Sequence, residues 1–372
     1  MKKPMVFMLT LSFALVLISS TALAWDDPAT SPVFNDDRTV TFRLNAPKAD
    51  NVKLNVEFLP EPQPMIKNNE GVWELTVGPA EPKIYYYSFL VDSVSVIDPQ
   101  NPQVKSSLLP NESIFNYPGD EPQFYDQKDV PHGVIHTHYF FSELEQANRT
   151  LIVYTPPEYD PHREYPVLYL FHGYSDNERG WVDVGKANFI MDNLIAETSA
   201  VPMIVVMPFG YSEPQPGDNV GDQLDLVSFM KWQQHVIPRF ERDIVEEVIP
   251  LVESAYTTAS GAKNRAIAGL SMGGIQSLYL GLNNLDKFSW IGAFSAGFTM
   301  DLLGSNPAHF NDHCSLLWVA IGEDEFLLES NNQFAAALKA KGIDHEYHLT
   351  EGGHTWWVWH RHLRDFAPRL FK

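Results

Sequence analysis

Two kinds of hydrophobic spacing divide the chain. From about residue 30 to 115, apolar and polar positions alternate in short runs, at Thr39–Leu44, Val52–Val56, Val72–Val77 and Tyr85–Val91. Pro, Asn, Asp and Gly punctuate these runs and no helical period interrupts them, which predicts a small β-sandwich. From about residue 133 the apolar runs become continuous and of buried-strand length: Val167–Phe171, Met203–Met207 and Leu316–Ile321. Helical stretches separate them. Phe240, Ile244, Val248 and Val252 recur every four residues, and Phe334, Ala337 and Leu338 mark a second helix that Gly342 can close. Buried strands alternating with helices predict an α/β domain, a mainly parallel sheet with helices on both faces. Residues 116–132, with Pro118, Pro122, Pro131 and several acids, read as a linker. Segment 209–235 is aperiodic and long for a plain connection, so it reads as a lid or substrate loop.

The first 24 residues follow a different pattern. Lys2 and Lys3 precede an apolar run from Val6 to Ile18, too short to span a bilayer comfortably, and Ala22-Leu23-Ala24 is a small-residue cleavage site. This predicts a signal peptide cut after Ala24 and a mature protein that is secreted or periplasmic. The expected organisation is therefore 1–24 signal peptide, 25–115 sandwich, 116–132 linker and 133–372 α/β domain. No second long apolar run follows, so no membrane span is expected in the mature chain.

Composition narrows the partners. A hydrophobic content of 44% supports a packed core, and a net charge of −21 argues against nucleic acid and anionic membrane surfaces. Cys314 is the only cysteine, which excludes an internal disulfide framework and suits a packed small hydrophobe. His136/His138 and His360/His362 each form an i, i+2 pair without an evident third ligand, so no metal is expected, and no cofactor.

The chemistry concentrates at Gly269-Leu270-Ser271-Met272-Gly273-Gly274, between an apolar run and a helical stretch. Strand, G-x-S-x-G and helix in that order build a nucleophile elbow, with glycines where a strained turn leaves no room for a Cβ. Ser271 needs a base, because a serine hydroxyl is a poor nucleophile at neutral pH. His354, in Gly352-Gly353-His354-Thr355-Trp356, comes last in chain order, as this architecture requires. The acid belongs to the loop after Leu316–Ile321, where Glu323, Asp324 and Glu325 compete. The oxyanion donors expected are the backbone N–H groups of Met272 and of Tyr174, the latter in Phe171-His172-Gly173-Tyr174. His172 itself reads as a structural hydrogen-bonding group of that loop. Trp181, Gln276 and Trp356 are candidate substrate contacts.

Tyr165–Gly173, the Gly269–Gly274 elbow and Gly353-His354-Thr355-Trp356 resemble the esterase D-like α/β-hydrolases. That family includes feruloyl and acetylxylan esterases of carbohydrate esterase family 1, enterochelin esterases, S-formylglutathione hydrolases and mycolyltransferases. The resemblance covers about 133–372. In front of it, Phe42–Ala49, Gly71–Glu74 and Asp98–Pro102 resemble the immunoglobulin-like module, classed with carbohydrate-binding module 48, that precedes branching enzymes and some esterases. For that module, glycan contact and packing against the enzyme remain equal alternatives.

Relatives usually carry Asp three residues after the glycine matching Gly322; here that position is Glu325, and Asp324 lies one earlier. Either can be the acid. The resemblance implies an exported serine esterase acting on feruloyl or acetyl esters of plant polysaccharide. The alternatives are a siderophore or other small-ester hydrolase, and a non-catalytic carbohydrate-binding protein on a degenerate hydrolase.

Overall fold

The computed structural model describes residues 30–108, 111–212, 236–297 and 307–372. The expected signal peptide and most of segment 209–235 lie outside the described residues. The front part is all β. One sheet runs in the order Val33–Phe34, Val40–Asn45, Val72–Val77, Ile66–Lys67. The other runs Gln63–Pro64, Val52–Val56, Ile84–Val91, Val94–Val96, with Ser113–Asn116 also paired to Ile84–Val91. All these pairings are antiparallel. The alternation seen in the sequence decides which side chains point inward: along Val52–Val56 the valines and Leu54 are buried while Lys53 and Asn55 are exposed. Phe42, Tyr85, Tyr87, Phe89 and Phe115 fill the space between the sheets. Burying each is worth about 2–3 kcal/mol.

An eight-stranded sheet forms the rest. Its order is Val134–Ser142, Ala147–Thr155, Ile204–Pro208, Val167–Phe171, Arg265–Leu270, Trp290–Phe294, Leu316–Gly322, Glu346–Thr350. The first two strands form an antiparallel hairpin, and Ala147–Thr155 runs antiparallel to Ile204–Pro208. The remaining neighbours are parallel. The sheet is thus mixed at one edge and parallel elsewhere.

The central strand Val167–Phe171 shows why its sequence is uniformly apolar. Leu168 and Leu170 face a core that includes helices Ala187–Ala196 and Trp356–Phe366. Val167, Tyr169 and Phe171 face the opposite core, beside helices Met272–Asn283 and Leu328–Lys341. Both faces of the strand are covered, so alternation disappears.

The four-residue spacing of Phe240, Ile244, Val248 and Val252 also has a structural cause. All four are buried on a helix whose middle, Asp243–Val248, is a π-turn, continued by the α-helix Ile249–Ala255. A wider turn brings every fourth residue back to the same face.

The segment read as a linker is packed rather than free. Tyr125 is buried and stacks on His360 at 4.8 Å, and Asn193 Nδ2 donates to the carbonyls of Phe124 and Asp126. Ile84 and Ile114 of the front region join the same apolar cluster. Proline content signalled the irregular backbone, but a buried tyrosine is invisible to composition. Among the described residues, no helix is long and apolar enough to cross a membrane.

Candidate active site

The elbow is built by close approach. The strand Arg265–Leu270 ends at Ser271, and the helix Met272–Asn283 starts immediately after it. Ser271 has φ 51° and ψ −114°, a strained conformation for a residue with a Cβ. A Cβ on Gly273 would lie 2.5 Å from the carbonyl oxygen of His172, so the turn can reach the neighbouring strand end only with glycine there. Met272 is the first residue of a 12-residue helix. The opening N–H groups of a helix lack intrahelical acceptors and carry its positive end, which suits them to a developing oxyanion.

The structure brings Ser271, His354 and Glu325 into one hydrogen-bonded line. His354 Nε2 lies 3.0 Å from Ser271 Oγ, and His354 Nδ1 lies 2.8 Å from Glu325 Oε2. With the carboxylate as acceptor, Nδ1 carries the proton and Nε2 accepts from the serine hydroxyl. Asp324 is not part of this line: its side chain is exposed, and its backbone N–H donates to Gly352. The turn after Leu316–Gly322 thus sends Glu325 inward, while Asp324 faces solvent.

Glu325 has a support that sequence reasoning missed. Its Oε1 accepts from Ser295 Oγ at 2.5 Å and from the Gly322 N–H at 3.1 Å. Ser295 Oγ in turn accepts from Trp359 Nε1 at 2.9 Å. Ser295 is fully buried, at φ 50°, at the carboxyl end of the strand Trp290–Phe294. The available signal was a serine directly after a buried strand at the sheet's functional edge.

The loop holding Tyr174 is fixed from below. His172 Nδ1–H donates to the Gly173 carbonyl and His172 Nε2 accepts from the Gly210 N–H, both at 2.8 Å. Burial holds this imidazole neutral, with its pKa lowered to about 4. Tyr211 OH accepts from the Ser175 N–H at 2.6 Å. Gln276 Nε2 donates to the Gly210 carbonyl at 2.8 Å.

Gln276 is fully buried and does not line the cavity, which corrects its reading as a substrate contact. It faces inward because its helix position meets Gly210 rather than the opening. Trp181 needs the same correction: it is buried, donates to the Phe171 carbonyl at 2.9 Å and packs edge-on behind Trp356 at 5.1 Å. Trp356 does line the cavity, as does Tyr174.

A cavity of about 550 Å³ opens over Ser271 and His354. Its lining includes the apolar side chains of Leu270, Ile275, Leu327, Trp356 and Trp359. Phe326, largely exposed, has its ring 5.0 Å from that of His354. The lining also includes Glu57, Tyr86 and Lys105 of the front β region, which no local pattern in the sequence associates with Ser271. Such a cavity accommodates a small ester and combines an apolar wall with few polar groups.

Of the histidine pairs, His136 Nε2 meets Thr155 Oγ1 and His138 Nε2 meets Tyr256 OH. His360 Nε2 donates to the Val184 carbonyl, and His362 Nε2 meets Thr350 Oγ1. Among the described residues, no group of His, Cys, Asp and Glu is arranged to hold a metal ion. Burial drives the Cys314 thiol pKa up to about 12, away from nucleophilic character.

Residues 142–370 match the model of the Esterase family, described as "Putative esterase". The chain is 32% identical over 351 residues to an endo-1,4-β-xylanase/feruloyl esterase of Xylanibacter ruminicola. That alignment takes in 92% of this chain and 46% of the relative, so the chain spans about half of the relative's length. A ferulic acid esterase of Anaeromyces mucronatus, solved with ferulic acid, superposes with a TM-score of 0.59 at 22% identity, covering 67% of this chain and 96% of that one. The enterobactin esterase of Shigella flexneri superposes with a TM-score of 0.65 at 17% identity, over 93% of this chain and 98% of that one. These two likenesses establish an α/β-hydrolase fold.

Proposed function

Because this chain belongs to the Esterase family, we propose that it is an exported serine esterase that cleaves carboxylic esters through Ser271, His354 and Glu325. The observation that carries the reading is the continuous hydrogen-bonded line from Ser271 Oγ through His354 to a buried, doubly supported carboxylate, at the floor of a cavity.

In the proposed mechanism His354 Nε2 takes the hydroxyl proton as Ser271 Oγ attacks the ester carbonyl carbon. The carbonyl electron pair moves onto oxygen, and the N–H groups of Met272 and Tyr174 receive the oxyanion. Each such donor is worth about a hundred- to a thousandfold in rate. Glu325 holds the imidazole in the Nδ1–H tautomer and stabilises the imidazolium. That imidazolium then protonates the departing alkoxide oxygen, and the acyl group stays on Ser271. Water, deprotonated by His354, attacks the acyl carbon, and the second tetrahedral intermediate releases the acid and restores the serine hydroxyl.

The substrate class we propose is a feruloyl ester of plant polysaccharide first and an acetyl ester second. The resemblance of the motifs and the feruloyl esterase relative support it. Residues 1–24 support export, and residues 25–115 make a sandwich module in front of the esterase domain at 133–372. The test is one panel on the full-length chain: methyl ferulate, acetylated xylan and a catecholate trilactone. Turnover of methyl ferulate above the other two is expected. Preference for the trilactone would replace the polysaccharide assignment with a siderophore one, and no turnover of any ester would overturn the esterase reading.

A further inference from the structure

The front β region does more than pack beside the hydrolase; it supplies part of the catalytic cavity. Residues 105–108 run along the loop that follows Tyr174. The Leu108 N–H donates to the Ser175 carbonyl at 2.8 Å, Ser107 and Asp176 form an antiparallel bridge, and Ser106 Oγ donates to Asp183. This clamp places Lys105, Tyr86 and Glu57 in the wall of the cavity that holds Ser271 and His354.

The polar groups in this wall are incompletely matched. Lys105 Nζ lies 3.4 Å from Glu112, 3.9 Å from Asp176 and 5.0 Å from the centre of the Tyr86 ring. Asp176 is only 4% exposed, and its Oδ1 has no hydrogen-bond partner among the described residues. Glu57 Oε2 is likewise buried without one. A buried carboxyl oxygen without a donor is costly and rare in a folded protein, and a binding site is one of the places where it persists. Burial raises the carboxyl pKa of both acids, that of Asp176 to about 6. One lysine and two carboxyl groups, Glu57 and Asp176, line the cavity here, and together they offer both donors and acceptors to a neutral polar group.

We propose that Glu57 and Lys105 of the front region, together with Asp176, form the specificity wall of the active-site cavity and recognise a neutral hydroxyl group on the ester substrate. The inference rests on the esterase reading and extends it, since it makes the front region part of substrate selection. The same hydrogen-bond chemistry serves a ring hydroxyl on the acyl group or a sugar hydroxyl on the alcohol.

The test compares kcat/KM ratios in the full-length chain and in Glu57→Gln, Lys105→Met and Asp176→Asn. Methyl p-coumarate over methyl cinnamate reads a ring hydroxyl; feruloyl arabinofuranose over methyl ferulate reads a sugar hydroxyl. At least one ratio should fall about tenfold in the variants, because a site built to bond a hydroxyl loses its discrimination when the partner is removed. The ratio that falls identifies which hydroxyl is read. Both ratios staying within about twofold in all three variants would overturn the inference while leaving the esterase reading intact. No turnover by the unsubstituted chain would overturn both. Should one of the three substitutions prevent folding, the two ratios are read in the remaining variants, and the same outcomes support or overturn the inference.

Discussion

Replacing Glu325 by Gln should disable the protein through a single tautomer. The two carboxylate oxygens are not equivalent: Oε1 faces two donors, the Ser295 hydroxyl and the Gly322 N–H, and Oε2 faces His354 Nδ1. The Gly322 backbone N–H can only donate, so whatever stands at Oε1 must accept. A glutamine must therefore put its carbonyl oxygen where Oε1 was and turn its NH2 toward His354. Nδ1 then has to accept, the imidazole proton moves to Nε2, and Nε2 can no longer take the proton of Ser271. The geometry stays close to intact while the base is lost.

A tautomer lock of this kind is worth about 10⁴ in kcat, or about 5 kcal/mol of transition-state stabilisation. Asp324→Asn, at an exposed side chain, should stay within about threefold. Steady-state hydrolysis of p-nitrophenyl acetate by both variants, with circular dichroism to check the fold, decides the matter. More than a tenth of the original kcat in Glu325→Gln, or an equal loss in Asp324→Asn, would refute the reasoning.

Two further predictions concern buried histidines. His172→Ala removes the donor to the Gly173 carbonyl and the acceptor for the Gly210 N–H. Chemical denaturation should show a loss of about 2 kcal/mol or more, and kcat should fall about tenfold as the Tyr174 loop loosens; unchanged kcat would separate that loop from the chemistry. Burial lowers the His362 pKa to about 3 and the His360 pKa to about 4, so the native chain stays unprotonated there while the unfolded chain, near 6.5, binds protons. Their contribution to stability is complete above about pH 6.5 and is lost as pH falls. Urea unfolding of His362→Gln between pH 5.5 and 4.5 should therefore show a slope smaller by about 1.4 kcal/mol per pH unit. An unchanged slope would mean that His362 is protonated in the native state.

What the sequence made legible follows from how local each signal is. The strands and the elbow could be read because their spacing is dictated by neighbours in the chain. The elbow, for instance, is marked by Gly269, Ser271 and Gly273 within five consecutive residues, although what Gly273 makes room for is the distant His172 carbonyl. Ser271 and His354 could be named because chain order constrains them. The choice between Asp324 and Glu325 stayed open, since it depends on which way one turn rotates, and that is set by Gly322 and Ser295 together. Gln276 and Trp181 differ from their sequence reading for a related reason: both are polar-tipped side chains whose partners lie elsewhere in the chain, Gly210 just beyond the strand Ile204–Pro208 and Phe171 at the end of the strand Val167–Phe171. The contribution of Glu57, Tyr86 and Lys105 to the cavity was illegible, because it arises only when the front region docks.

The central claim is that Ser271 is an activated nucleophile, and labelling with a fluorophosphonate probe tests it most directly. The account predicts one adduct per full-length chain, mapped by peptide mass spectrometry to Ser271 and absent in Ser271→Ala. Failure to label Ser271, or ester turnover that survives Ser271→Ala, would contradict it.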